Sequence, residues 1–234
     1  MRTIEPRTEP ADYAQWRAAS RGDINYGYDL IPTDLRLRLK AALIAEQGGI
    51  CAYTGIGINN AHSHIEHLIP QSHCAPGEVD VAYNNMVACF PGREDRYVPF
   101  GALKKANWPS PEEQHLFVSP RSAGCEGRFQ FSIRGVISVN ADDAAARVTA
   151  ERLGLNARRL EALRREAIDA TLNWHGRSPA LLDLPSARKR LAALEHAGRQ
   201  GGQLEPFCFV LTQALRKHIA RLEYIRESKK RGGR

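Results

Sequence analysis

A chain of 234 residues that is 43% hydrophobic is long enough to bury an ordinary core and too apolar to be a disordered segment. Its formal net charge of +7 leaves a positive field at neutral pH, which favours polyanions and salt-sensitive association with nucleic acid. The stretch Met1–Arg7 is charged and broken by Pro6, and no apolar run reaches the length of a membrane span, so the expectation is a cytoplasmic protein. Five cysteines, at 51, 74, 89, 125 and 208, are odd in number and widely spread, which argues against a disulfide scaffold and for reduced thiols or a metal site.

In chain order, residues 1–32 mix charge, Pro, Gly and the rings of Tyr13, Trp16, Tyr26 and Tyr28, and read as an irregular arm wrapped on a body. Thr33 and Asp34 are good capping residues for a helix in which Leu35, Leu37, Leu39, Leu43 and Ile44 recur with mixed helical spacing until Gln47-Gly48-Gly49 stops it. Between 51 and 108 the composition changes: four of the eight histidines and three of the five cysteines crowd here, a ligand pattern more than a packing pattern. Short apolar runs at Ile65–Ile69 and Met86–Phe90 read as strands, and Phe100–Asn107 as a short helix.

Phe129, Phe131 and Ile133 alternate before Arg134-Gly135, then Val136, Ile137 and Val139 follow, which reads as a small hairpin. Helices are expected at Asp142–Leu153, Asn156–Trp174, Ser186–Ala197 and Pro206–Glu227, with a hinge at Gly198–Gly202 and a basic, flexible tail over 228–234. The fold class is therefore α+β. Its boundaries fall at an arm of 1–32, a central domain of 33–140 and a helical region of 141–227.

Hydrolysis of a phosphodiester needs a base for water, a cation for the charge that grows on the phosphate, and a group that fixes the base's tautomer. His67 suits the first role, since imidazole is partly neutral at cell pH. Glu66 suits the second as an oxygen ligand for Mg²⁺ or a related ion, and Asn85 the third, from the adjoining strand. On an extended strand His64 shares a face with Glu66 and not with His67, so it either joins the metal or only hydrogen-bonds. A Glu-His pair also arises by chance on many strands; the crowded surroundings of this one favour chemistry.

The runs Gln47-Gly48-Gly49-Ile50-Cys51-Ala52-Tyr53, His64-Ile65-Glu66-His67 and Tyr83-Asn84-Asn85-Met86-Val87-Ala88-Cys89 resemble the HNH endonucleases found with retrons and in Septu-type anti-phage systems, the PtuB-like proteins. Phe117-Val118-Ser119-Pro120, Cys125-Glu126-Gly127-Arg128-Phe129, Gly135-Val136-Ile137 and Leu153-Gly154-Leu155-Asn156, with Leu160 and Arg164, are similar to later landmarks of that family. The likeness covers most of residues 33 to 170. It implies a ββα-metal (His-Me finger) nuclease core that uses Mg²⁺ or Mn²⁺. His67 would be its general base, Glu66 a metal ligand and Asn85 the HNH asparagine. It also implies an ATPase of the SMC/ABC type (PtuA-like) as partner, and a DNA or RNA substrate.

The chain departs from the family in its thiols. Family members often carry Cys-x-x-Cys near the first cysteine, enough for a structural zinc, whereas here Thr54 closes the first such spacing and Val98 stands where another thiol is expected. Cys51 and Cys89 remain as two zinc ligands, with Cys74 or His73 to complete a changed site; ordinary burial of free cysteine is the stronger reading. The last metal ligand has Glu94, Asp95 and Asn107 as alternatives, and Lys104 and Lys105 follow Gly101 as the family's phosphate-meeting lysine does. A catalytically degraded subunit that binds nucleic acid or the ATPase without cleaving is the competing expectation.

Overall fold

The computed structural model describes residues 1–23, 26–75, 77–92, 97–173, 181–200 and 202–232. Within them the arm is more regular than its composition suggests, with helix α1 (Ala11–Ser20) and a 3₁₀ turn at Tyr28–Leu30. Tyr13 is fully buried, its hydroxyl donates to the Val81 carbonyl at 2.7 Å, and Trp16 stacks beside it. Burial of rings against the body, not local propensity, orders the arm.

Helix α2 (Thr33–Glu46) buries Leu35, Leu39 and Leu43, an i, i+4 stripe. Its cap differs from expectation: Pro32 holds the N-cap position without a side-chain bond, and Thr33 is the first helical residue. Proline's fixed φ suits a helix start, and no side-chain oxygen is required of it. Gly48 and Gly49, at φ +68 and +74, end the helix in the left-handed region that costs glycine nothing. Gln47, just before them, is buried and stitches the following turn to the next strand pair: its Nε2 donates to the Ile50 and Ala88 carbonyls, and its Oε1 accepts from Ala88 N at 2.6 Å.

Strands β1 (His64–His67) and β2 (Met86–Cys89) pair antiparallel, His64 opposite Cys89 and His67 opposite Met86. The short helix α3 (Ala102–Lys105) follows, with Gly101 N donating to Leu153 O at 2.7 Å. Both strands and α3 are shorter than the apolar runs suggest, because Leu68 and Phe90 already turn away into loops. A second antiparallel pair, β3 (Gln130–Phe131) and β4 (Ile137–Ser138), forms the hairpin, with Gly135 at φ +78 in its turn.

Four helices close the chain: α4 (Ala144–Arg152), α5 (Arg158–Leu172), α6 (Leu184–Gln200) and α7 (Cys208–Gly232). Two expectations are corrected here. Helix α6 runs through Gly198 and the first half of the proposed hinge, and α7 continues through Lys229, Lys230 and Arg231 where a flexible tail was expected. Basic side chains in a last turn complement the carbonyl end of the helix, so the charge run extends α7. Trp174, Gly201, Gly233 and Arg234, which fall in the expected last helices, hinge and tail, lie outside the described residues.

Helices with two small antiparallel sheets make this an α+β protein. One buried cluster gathers side chains from the arm (Ile4, Tyr13), the central segment (Tyr53, Met86, Phe100) and the last helices (Leu160, Leu211, Leu215). Among the described residues no helix is long and apolar enough to cross a membrane.

Candidate functional site

Alternation along β1 sends His64 and Glu66 to one face and Ile65 and His67 to the other. On the His67 face the imidazole is only 7% exposed. Its Nε2 donates to the Asp80 carbonyl at 2.8 Å, which leaves Nδ1 as the lone-pair nitrogen of the neutral ring. Burial pushes the His67 pKa down, and the Asp80 carbonyl opposes that only in part. The Tyr28 ring meets the imidazole edge to face at 4.5 Å, so the arm covers this face.

Asn85 was expected to orient His67 directly, and it does not. Its Oδ1 accepts from Ile69 N at 2.8 Å, and its Nδ2 donates to the Ile69 carbonyl at 3.1 Å and the Val79 carbonyl at 3.0 Å. The side chain thus clamps both ends of the loop that follows β1, and the Asp80 carbonyl lies next to its far anchor. Asp80 is itself 3% exposed, and its carboxylate accepts from Glu78 N at 3.1 Å and from Tyr28 N at 2.9 Å. One residue therefore fixes the loop, the arm and, through its own carbonyl, the imidazole.

On the other face, His64 Nδ1 donates to the Pro91 carbonyl at 2.6 Å and its Nε2 lies 3.7 Å from Glu66 Oε2. Burial opposes a charge on His64, but the Glu66 carboxylate and the Pro91 carbonyl outweigh it and raise the pKa above its ordinary value. Glu66 Oε1 takes the Lys105 ammonium at 2.9 Å, and the same Nζ donates to the His67 carbonyl at 2.9 Å. Lys105 is the surprise of the site: its side chain is 0% exposed, so it braces Glu66 from within. Lys104, one residue earlier, is exposed, and of the two lysines only it is placed to meet a phosphate from solvent.

Cys51 and Cys89 are buried next to each other. Burial raises the Cys51 pKa, but hydrogen bonds from the Cys89 thiol, the Thr54 hydroxyl and the Thr54 and Phe90 amides overcome it and bring the value down to about 6. Cys89 is pushed up, first by burial and then by its bond to Cys51. Cys74 is elsewhere, its thiol donating to the Pro70 carbonyl at 3.3 Å, and His73 Nδ1 donates to the Pro109 carbonyl at 3.0 Å. Asn107 is exposed just past α3; Glu94 and Asp95 lie outside the described residues. Among the described residues no group of three or more His, Cys, Asp or Glu side chains converges on a metal position.

Sequence reasoning missed Asp80, Tyr28 and the inward turn of Lys105. A backbone acceptor has no side-chain signature, and the arm's rings gave no hint of their target. Lys105 had one faint signal, its place beside the apolar Ala102 on a helix of a single turn. Comparison with family models finds none that matches this chain, and no curated protein matches it.

Proposed function

We propose that the protein is a metal-dependent endonuclease of HNH type, with the β1, β2 and α3 succession as its ββα-metal core. One observation carries this reading: His67 is held in a single tautomer by a loop carbonyl, and Asn85, supplied from the start of β2, clamps that loop.

Among the described residues Glu66 is the one hard oxygen donor at this position and His64 a borderline one, and both would have to exchange a present contact, Lys105 for Glu66 and the Glu66 carboxylate for His64, to hold a divalent ion. His64 gives its Nδ1 proton to Pro91, so in the neutral ring the Nε2 lone pair faces Glu66 Oε2, and both side chains reach solvent at 30% and 15% exposure. Two protein donors suffice for Mg²⁺ or Mn²⁺, which keep most of their waters. An ion bound there would supply positive charge to a phosphate on the His64 and Glu66 face of β1, while His67 is positioned from the other face. Among the described residues four good ligands for a structural zinc are not gathered around Cys51 and Cys89.

The chain's own residues do the rest. His67 Nδ1 takes a proton from water as its oxygen attacks phosphorus, the Asp80 carbonyl steadies the imidazolium that results, and the P–O bond to the leaving oxygen breaks. Lys105 holds Glu66 in its rotamer, and exposed Lys104 contributes a phosphate contact that carries no sequence information. The resemblance adds the setting: cytoplasmic anti-phage defence, with an SMC/ABC-type ATPase as partner and DNA or RNA as target.

The test is incubation of the purified protein, alone and co-expressed with its ATPase partner, with plasmid, single-stranded DNA and transfer RNA in Mg²⁺ or Mn²⁺. Strand breaks that vanish in folded His67→Ala are expected. Equal cleavage by that variant refutes the assignment. The Tyr28 ring over a 7% exposed His67 favours a second reading, a silent HNH-fold subunit that binds without cutting. Absent cleavage together with unchanged phage protection by His67→Ala selects it.

A further inference from the structure

We propose that the groove between the β3–β4 turn, α5 and α7 docks an acidic amphipathic helix of a partner protein. This inference is independent of the nuclease reading. The groove measures about 530 Å³, and its floor is aliphatic: Ile168 and Leu172 from α5 and Ala214 from α7. At its edge Ile133 is 62% exposed. A single exposed isoleucine is ordinary, but this one continues an apolar floor.

The hairpin turn that carries Ile133 is pressed hard on α5. A Cβ at Gly135 would stand 2.4 Å from the Glu161 carbonyl oxygen and 3.0 Å from Arg165 N. The backbone of the turn that carries Ile133 is thus set against α5 before any partner arrives.

Charge selects the occupant. Arg134, Arg165, Lys217 and Arg221 line the groove against one acid, Asp169, which shares itself with Arg165 at 3.5 Å. Lys217 spends one N–H on the Phe131 carbonyl at 2.7 Å and keeps two. A cationic rim around an aliphatic floor matches a helix with acidic residues on one face and apolar anchors at i, i+3 and i+4. Nucleic acid is the poorer match, because among the described residues no Phe, Tyr or Trp lines the groove to stack a base.

The probe is a set of four labelled acidic amphipathic helical peptides of differing anchor size, titrated by fluorescence anisotropy against the full chain. At least one is expected to bind saturably, at least tenfold more tightly than a scramble of equal charge, with hydrogen-exchange protection confined to α5, α7 and the hairpin. Ile133→Asp and the double reversal Arg134→Glu/Arg221→Glu, all at exposed positions, are each expected to weaken binding at least tenfold with unchanged melting temperature. Failure of all four peptides, equal binding of the scramble, indifference to Ile133→Asp, or equal competition by an oligonucleotide of the same charge overturns the proposal.

Discussion

Lys105 keeps its ammonium out of water by giving it two oxygens, Glu66 Oε1 and the His67 carbonyl, both at 2.9 Å. Removing one partner of so enclosed a pair leaves the other charge stranded, so Lys105→Met should destabilise the fold by about 2–3 kcal/mol, less than a fully buried pair because Glu66 keeps some access to water. Urea unfolding checks this. Asn85→Ala deletes four hydrogen bonds, a long one to Cys74 Sγ among them, and leaves the Ile69 amide and two carbonyls wanting, for an expected loss of about 2–3 kcal/mol and faster hydrogen exchange at Ile69. Asn85→Asp is predicted to be no rescue, since a carboxylate can accept from Ile69 N but repels the Ile69 and Val79 carbonyls. His64, Glu66, His67 and Asn85 were legible in the sequence because their side-chain chemistry is uncommon in combination. Asp80 was not, since the atom that meets His67 is one every residue owns.

Turns decide where the elements sit. Gly135 combines φ +78 with a contact that leaves no room for Cβ, whereas Gly124 has φ +72 and open space around it. Gly135→Ala should therefore cost more than Gly124→Ala, about 2 kcal/mol or above against about 1 kcal/mol, read as two melting-temperature shifts. At the start of α4, Asp143 accepts from Ala146 N at 2.9 Å and pairs with Arg128, whose hydrogen bond holds its pKa below the usual carboxylate value. A lowered folded pKa means stability that is present above about pH 4 and lost as pH falls through the folded value. The melting-temperature gap between wild type and Asp143→Asn is thus predicted to be widest near neutrality and to close toward pH 2. Existence of the elements after residue 32 was largely legible from periodicity; the arm helix and the ends of the others were not. The short strands and the arm helix depend on tertiary contacts that a window of sequence does not contain, whereas the α7 extension is exposed and rests on its basic last turn.

Across the molecule, the later landmarks of the sequence turn out to support the earlier ones. Leu153 accepts from Gly101 N at the start of α3, and Gly154 lets Lys104 and Pro99 approach too closely for any Cβ. Buried Arg164, its pKa lowered to about 10 by burial, donates to Leu155 O at 2.5 Å and lies over the Phe131 ring, tying α5 to this turn and to the hairpin. From the other side Arg121 grips Glu46 with two hydrogen bonds and donates to Met86 O at 3.0 Å, which fastens α2 to β2. The first support reaches α3 and the hairpin, and the second reaches β2 at Met86. The central claim is that His67 is the base of a phosphodiester hydrolase, and single-turnover cleavage measures it most directly. With the best substrate and a saturating divalent ion, His67→Ala is predicted to lower the rate constant by at least about 100-fold while substrate affinity and melting temperature hold. A rate constant within a few-fold of wild type would contradict the account.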